Sequence, residues 1–309
     1  MTTAFVFSGQ GAQRAGMAGY WADDPAAARL FAAASDVLGH DLAAAASGPG
    51  GLGRTEVAQP LLFVCGVAAH RALGEHGVRP GAVAGHSLGE FAALVAAGAL
   101  DFEEALAVVA RRAAAMSAAC AAAPGAMCAV VGPDAAELAA AACALREPGE
   151  TLVVANRNGP RQVVLSGTGT AVARAEAAIG SRGGRAVRLK VEGAFHSPLM
   201  EPASRALAAA LADLTWHAPD CWVIPNVTGE PTRDHGLLAE LLGRHLLSPV
   251  QWARTAGALI RLGTGRVVEC GPKPVLTALL RGCGLAASYH LADSPAAVRT
   301  AAEALQPVA

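Results

Sequence analysis

The sequence predicts an α/β protein, a mostly parallel sheet with helices on both faces, interrupted once by a small inserted unit. Three observations predict it. Short apolar runs alternate with longer segments of helical apolar spacing along 309 residues, as in chains of βαβ units. Glycine-punctuated loops follow two of those runs, at the strand ends where open α/β sheets bind ligands. From about residue 125 the order becomes strand, helix, strand, strand, helix, strand, the ferredoxin-like pattern. The predicted division is 1–124 with 192–309 as the large unit and 125–191 as the insertion.

A chain of this length buries a sizeable core. It is 53% hydrophobic but 4% aromatic, so alanine, valine and leucine must fill most of that core. A formal net charge of −1 argues against a nucleic-acid binder driven by bulk positive charge. Lysine occurs only at Lys190 and Lys273. The seven cysteines stand singly, with no CxxC pair and no Cys/His zinc spacing. No metal site is expected, and the thiols fit a reducing cytoplasm. There is no basic n-region at the start and no uninterrupted apolar run long enough for a bilayer. A soluble cytoplasmic protein, with no membrane and no nucleic-acid partner, is expected.

Taken in order, Ala-Phe-Val-Phe at 4–7 is a buried strand running into the loop Ser8-Gly9-Gln10-Gly11-Ala12-Gln13. This loop lacks the rest of a dinucleotide fingerprint, and by itself Gln10 reads as a plain turn residue. Helical spacing covers 25–38, a loose Gly-Pro-Gly-Gly stretch follows, and Gln59-Pro60 introduces an apolar helix over 61–73. The apolar run 82–84 then meets Gly85-His86-Ser87-Leu88-Gly89-Glu90 and an apolar helix over 91–100. A serine flanked by glycines between strand and helix is the nucleophile-elbow context. It places Ser87 at a helix N-terminus, where N–H groups favour developing negative charge. Ser87 and Glu90 equally match a capping box; both readings of Ser87 stand here, and capping is the better one for Glu90.

The next helix, 101–119, carries Phe102, Leu106, Val109, Ala113 and Met116 on one stripe. Arg111 lies opposite that stripe and is solvated, whereas Arg112 borders it at about 80°. From pattern alone, an arginine laying its stem on apolar surface is the favoured reading of Arg112. The insertion has strands over 127–131, 151–155, 162–166 and 186–191, with helices over 134–145 and 170–180. Arg182, Arg185, Arg188 and Lys190 cluster at its end, a solvated face or an attraction for an acidic partner. In Gly193-Ala194-Phe195-His196-Ser197-Pro198, His196 is a candidate base before a helix starting near 199. Among nine histidines chemistry alone does not select it, and no acid stands out as a third member. Strands at 222–224 and 267–269 and the segment Pro249-Val250-Gln251-Trp252 complete the reading.

Together these motifs, with Asn158-Gly159-Pro160-Arg161-Gln162-Val163-Val164 and Glu269-Cys270-Gly271-Pro272, are similar nearly end to end to one family. The chain resembles the malonyl-CoA:acyl-carrier-protein transacylases and the discrete acyltransferases of polyketide synthases. The resemblance implies an α/β-hydrolase-like large domain with a ferredoxin-like subdomain inserted, and an active site between them. It implies that Ser87, activated by His196, takes an acyl group from coenzyme A and passes it to the phosphopantetheine thiol of an acyl carrier protein. The backbone N–H groups of Gln10 and Leu88 would form the oxyanion hole. A backbone carbonyl, at His245, would orient His196 in place of an acid. Arg112 would pair with the free carboxylate of malonyl, with Gln59 and Phe195 also in the substrate site. No metal or redox cofactor is implied, and coenzyme A arrives as part of the substrate.

Phe195 before the histidine and Leu88 after the serine resemble the malonyl type. Two positions depart from the family's habit: Gly193, where polyketide malonyl enzymes commonly have His, and His245, where Gln is common. A monomer is expected, meeting an acidic carrier near Arg182, Arg185 and Arg188. The competing readings are a transferase for an unusual extender or carrier-bound acyl group, a thioester hydrolase, and a docking module with a dead site.

Overall fold

Among the described residues, nine strands make two sheets. The structure, a computed structural model, describes residues 1–48 and 50–306. Residue 49 of the Gly-Pro-Gly-Gly stretch and residues 307–309 of the expected large unit lie outside them.

The strands are β1 (Thr2–Phe7), β2 (Ala82–Gly85), β3 (Gly125–Val131), β4 (Leu152–Gly159), β5 (Gln162–Thr168), β6 (Arg185–Arg188), β7 (Trp222–Ile224), β8 (Thr264–Cys270) and β9 (Ser288–Leu291). The larger sheet has the order β7-β2-β1-β8-β9, and every neighbouring pair in it is parallel. Strands buried on both faces read as continuous apolar runs, which is why residues 4–7 and 82–84 were legible. Side chains alternate across β1: Phe5 and Phe7 join the core with Leu61, Phe63 and Phe91. Ala4 and Val6 face Trp252, Leu259 and Leu276. The order runs outward from β1 in both directions, so the loops after β1 and β8 part and leave a crevice at the strands' C-terminal ends.

The smaller sheet has the order β4-β5-β3-β6 and is antiparallel throughout. Its two helices, Ala135–Cys143 and Gly169–Ser181, bury Ala139, Val172 and Ile179 against Cys128, Val130 and Leu165. The predicted class therefore holds: a parallel α/β unit carrying a ferredoxin-like insertion. A backbone bridge ties the loop before Trp252 to the smaller sheet. Val250 donates to the Ala155 carbonyl (2.9 Å) and accepts from the Arg157 N–H (2.8 Å), bridging β4 in parallel.

Several helices differ from expectation. The helix Pro25–Leu38 has the expected bounds, capped by Asp24 accepting from the Ala27 N–H at 2.8 Å. The helix expected over 61–73 instead runs Thr55–Glu75, with Pro60 inside it. Proline forfeits one hydrogen bond there, but an almost unbroken run of buried side chains from Val57 to Ala69 outweighs it. This helix and Phe102–Ala122 have the length and apolar content of a membrane span, yet 83% and 50% of those windows are buried inside the protein. The helices Trp252–Arg261, Val275–Gly282 and Pro295–Leu305 and strand β9 were not assigned from sequence.

Candidate active site

The chain turns sharply between β2 and the helix Gly89–Ala96. A Cβ on Gly85 would overlap the Gly89 backbone, and one on Gly89 would overlap the Phe7 carbonyl. Ser87 sits at the apex with φ 51°, and the only other non-glycine residue at positive φ among those described is His196, φ 55°. Each left-handed non-glycine residue costs about 1–2 kcal/mol, a strain held where function uses it. Because Ser87 is left-handed, the helix N-cap falls on Leu88 and no side chain caps it. The capping-box reading of Ser87 and Glu90 is therefore corrected. Glu90, 1% exposed, instead accepts the Asn226 N–H through Oε2 at 3.1 Å.

Ser87 Oγ lies 2.8 Å from His196 Nε2. His196 Nδ1 lies 3.1 Å from two carbonyl oxygens, those of His245 and Ser248. Both partners only accept, so Nδ1 carries the proton and Nε2 is left to accept the serine O–H. Burial, then the charge of Arg112, lowers His196 to about 3. The imidazole is therefore neutral at neutral pH, with Nε2 unprotonated toward Ser87.

Arg112, expected at the border of a packed face, is 1% exposed. It donates to Gln59 Oε1 at 2.6 Å and to Ser87 Oγ at 3.2 Å. Burial lowers it to about 10, so it remains a cation. The chain of contacts continues: Gln59 Nε2 donates to Gln10 Oε1 at 3.0 Å, and Gln10 Nε2 to Thr55 Oγ1 at 3.1 Å. Thr55 then bonds Glu192, in the loop that follows β6. The helix Thr55–Glu75 thus includes Gln59, which the helix expected over 61–73 left outside. The backbone N–H groups of Gln10 and Leu88 make no hydrogen bond among the described residues. Both residues line the same cavity as Ser87.

That cavity, about 660 Å³, lies between the two sheets. Phe195 and Met116 wall one end, and Asn156, Asn158 and Gln162 of the antiparallel sheet face the elbow. His86 Nε2 reaches Asn158 Oδ1 at 2.9 Å, and Asn158 donates to Gln162 Oε1 at 2.7 Å. Gly193 faces Cys120: a Cβ there would overlap its sulfur. The structure brings together Ser87, His196, Arg112, Gln59, Gln10, Leu88, Phe195 and the His245 carbonyl. It leaves the basic cluster outside the cavity, except Lys190, which lines it. Arg188 is occupied by Glu176 through two bonds of 2.7 and 2.6 Å, while Arg182 and Arg185 are exposed.

Asn226 was missed. It follows β7, and its Oδ1 accepts the Ser87 N–H at 2.7 Å while its Nδ2 donates to the Gly85 carbonyl at 2.6 Å. The one available signal was its place just past the C-terminal end of a short strand.

A parallel α/β sheet, a strained serine hydrogen-bonded to a buried imidazole, and free N–H groups lining the same cavity are the parts of an enzyme that moves acyl groups through a serine. The chain belongs to the acyl transferase domain family, which matches residues 4–293. It is 38% identical over 305 residues to the malonyl CoA-acyl carrier protein transacylase of Escherichia coli O157:H7, covering 97% of this chain and 98% of that one. The corresponding enzyme of Coxiella burnetii superposes with TM-score 0.93 at 34% identity, over 99% of this chain and 98% of that one. A malonyl-transacylase solved in complex with its type II polyketide acyl-carrier protein superposes with TM-score 0.92 at 36% identity, over 98% and 100%.

Proposed function

We propose that the protein transfers a malonyl group from coenzyme A to the phosphopantetheine thiol of an acyl carrier protein by a two-stage, ping-pong reaction. The observation that carries the proposal is the contact of one buried cation, Arg112, with the serine that the imidazole activates. A carboxylate at the far end of the acyl group would be met by a guanidinium, which offers it two parallel N–H donors. An acetyl group offers nothing to that cation.

In the first stage His196 Nε2 takes the Ser87 proton as Oγ attacks the thioester carbonyl. The oxyanion forms beside the free N–H groups of Gln10 and Leu88. The tetrahedral intermediate collapses with expulsion of the coenzyme A thiolate, which takes the proton from His196, leaving malonyl-Ser87. In the second stage the carrier thiol gives its proton to His196 and attacks the ester, and Ser87 recovers its proton. The His245 and Ser248 carbonyls orient the ring throughout and favour the imidazolium when it forms. Phe195, walling the pocket, disfavours an α-methyl branch, a discrimination of about 1–3 kcal/mol. The carrier approaches the cavity mouth at Lys190, with exposed Arg185 and Arg182 nearby for its acidic face.

The test is intact-protein mass spectrometry with malonyl-, methylmalonyl- and acetyl-CoA in competition. A malonyl adduct present in the wild type, and lost in Ser87→Ala, is the expected result. Loading by a larger acyl group first would indicate a specialised extender transferase, and rapid release to water without carrier a hydrolase.

A further inference from the structure

Two buried titratable residues beside the site take no side-chain part in the reaction above. Glu90 and His245 are each 1% exposed. Glu90 Oε2 holds the Asn226 N–H at 3.1 Å, and Asn226 clamps the elbow at the Ser87 N–H and the Gly85 carbonyl. The same Oε2 stands 3.4 Å from His245 Nδ1. The His245 ring lies against the His196 ring, with centroids 5.4 Å apart and planes within 20°. On its other side it meets Phe91, at 6.5 Å and 29°. One carboxyl therefore touches the supports of both reacting residues: the serine's backbone clamp through Asn226, and the base's ring through His245.

We propose that Glu90 and His245 are paired positioning residues, which tie the placement of the Ser87 backbone to the orientation of the His196 ring. The role rests on Ser87 and His196 acting as nucleophile and base. Burial pushes Glu90 up to about 8 and holds His245 well below its ordinary value. At neutral pH the pair is thus an uncharged carboxyl facing an uncharged imidazole, which orients His196 without placing a second net charge beside it. Arg112 remains the one charged side chain of this cluster. Packing alone would be served by a leucine, which matches the volume and has no desolvation cost. Neither ring nitrogen of His245 makes a hydrogen bond among the described residues, and the contact that faces Nδ1 toward a polar group is the 3.4 Å approach to Glu90 Oε2. Small displacements of a reacting pair are expensive: about 1 Å of misplacement costs on the order of 100-fold.

The experiment compares Glu90→Leu and His245→Leu with Glu90→Gln and His245→Gln. It reads single-turnover acylation of Ser87 by malonyl-CoA, donor KM, and Ser87 labelling by a small fluorophosphonate that needs no acyl-CoA site. Expected are leucine variants slowed about 10- to 100-fold in both acylation and labelling, with donor KM unchanged. The glutamine variants, which keep a polar atom in each place, should stay within about threefold of the wild type. Glutamine variants as slow as the leucine ones, or leucine variants as fast as wild type, overturn the proposal. Should a leucine variant not fold, Glu90→Asp decides. Retracting the carboxyl by one methylene should slow acylation about tenfold, and wild-type acylation by Glu90→Asp overturns the pairing. A wild-type protein that carries no acyl group on Ser87 would sink the transfer reaction itself, an outcome distinct from all of these.

Discussion

The two sheets face each other across one cavity and differ in what they bring to it. Every group bonded to Ser87 or His196 comes from the parallel unit: Asn226, Arg112, and the His245 and Ser248 carbonyls. Both strained residues belong to that unit too. The antiparallel sheet contributes side-chain amides and aliphatic groups, and among the described residues one hydrogen bond joins it to the elbow, from His86 Nε2 to Asn158 Oδ1. Strands that end together at a parallel sheet's edge converge several loops on one point, and bond-making needs that convergence. A wall of amides can recognise a long polar substrate without having to be placed to a fraction of an ångström. On this view the parallel unit determines rate and the choice of acyl group, and the antiparallel sheet adds to binding of the rest of the donor.

The comparison breaks first at the base. His196→Ala should slow acylation on the order of 10³-fold with donor KM little changed, measured by stopped-flow release of coenzyme A. A larger effect on KM than on rate would place binding in the parallel unit. Arg112→Ala should lower malonyl loading about 100-fold and leave acetyl loading within a fewfold, erasing the preference in a competition assay. On the other wall, Asn158→Ala should raise donor KM about fivefold, the value of a lost hydrogen bond, with kcat unchanged. A fall in kcat instead would show that the antiparallel sheet also sets the elbow. Arg185→Glu should have the smallest effect, about threefold on carrier KM and none on donor KM, as for an exposed charge.

Stability sharpens the same contrast, because the buried titratable groups cluster in the parallel unit. Glu90 is raised from 4.5 to about 8. Between those values the folded chain keeps a proton that the unfolded chain has lost, so stability falls as pH rises through the window. His196, lowered from 6.5 to about 3, and His70, lowered to about 4, act in the opposite sense. Below 6.5 the unfolded chain takes up protons that the folded chain refuses, and stability falls on acidification. Between 6.5 and 8 the Glu90 contribution stands alone among these three. Glu90→Gln should therefore flatten the decline in unfolding free energy from pH 6.5 to 8, read by denaturant titration, and steepen the fall on acidification from 6.5 to 4.5, where Glu90 opposes the two histidines.

Much of this was legible because apolar periodicity and glycine spacing are local signals. The runs at 4–7 and 82–84, the βαββαβ order and the glycines around Ser87 all act within a few residues of where they are read. The misses arise where distant packing decides. Pro60 marks a helix start by propensity, but burial of Val57 to Ala69 carries the helix through it, and so places Gln59 beside Arg112. Glu90 has the spacing of a cap until the left-handed Ser87 moves the N-cap by one residue. Asn226 is 139 residues from Ser87 and belongs to no local pattern. His196 could not be chosen among the histidines without the carbonyls, about 50 residues on, that hold it.

Gly193 and Cys120 occupy what amounts to one shared volume. A side chain at position 193 has no room while the Cys120 sulfur stands there, and a smaller residue at 120 alone would leave that buried volume empty. The two positions are therefore linked in the order in which they can change. A lineage that adds a side chain at 193 must first turn the Cys120 sulfur aside or replace it with something smaller. Until then any larger residue at 193 carries a steric cost, whatever advantage a new substrate would confer.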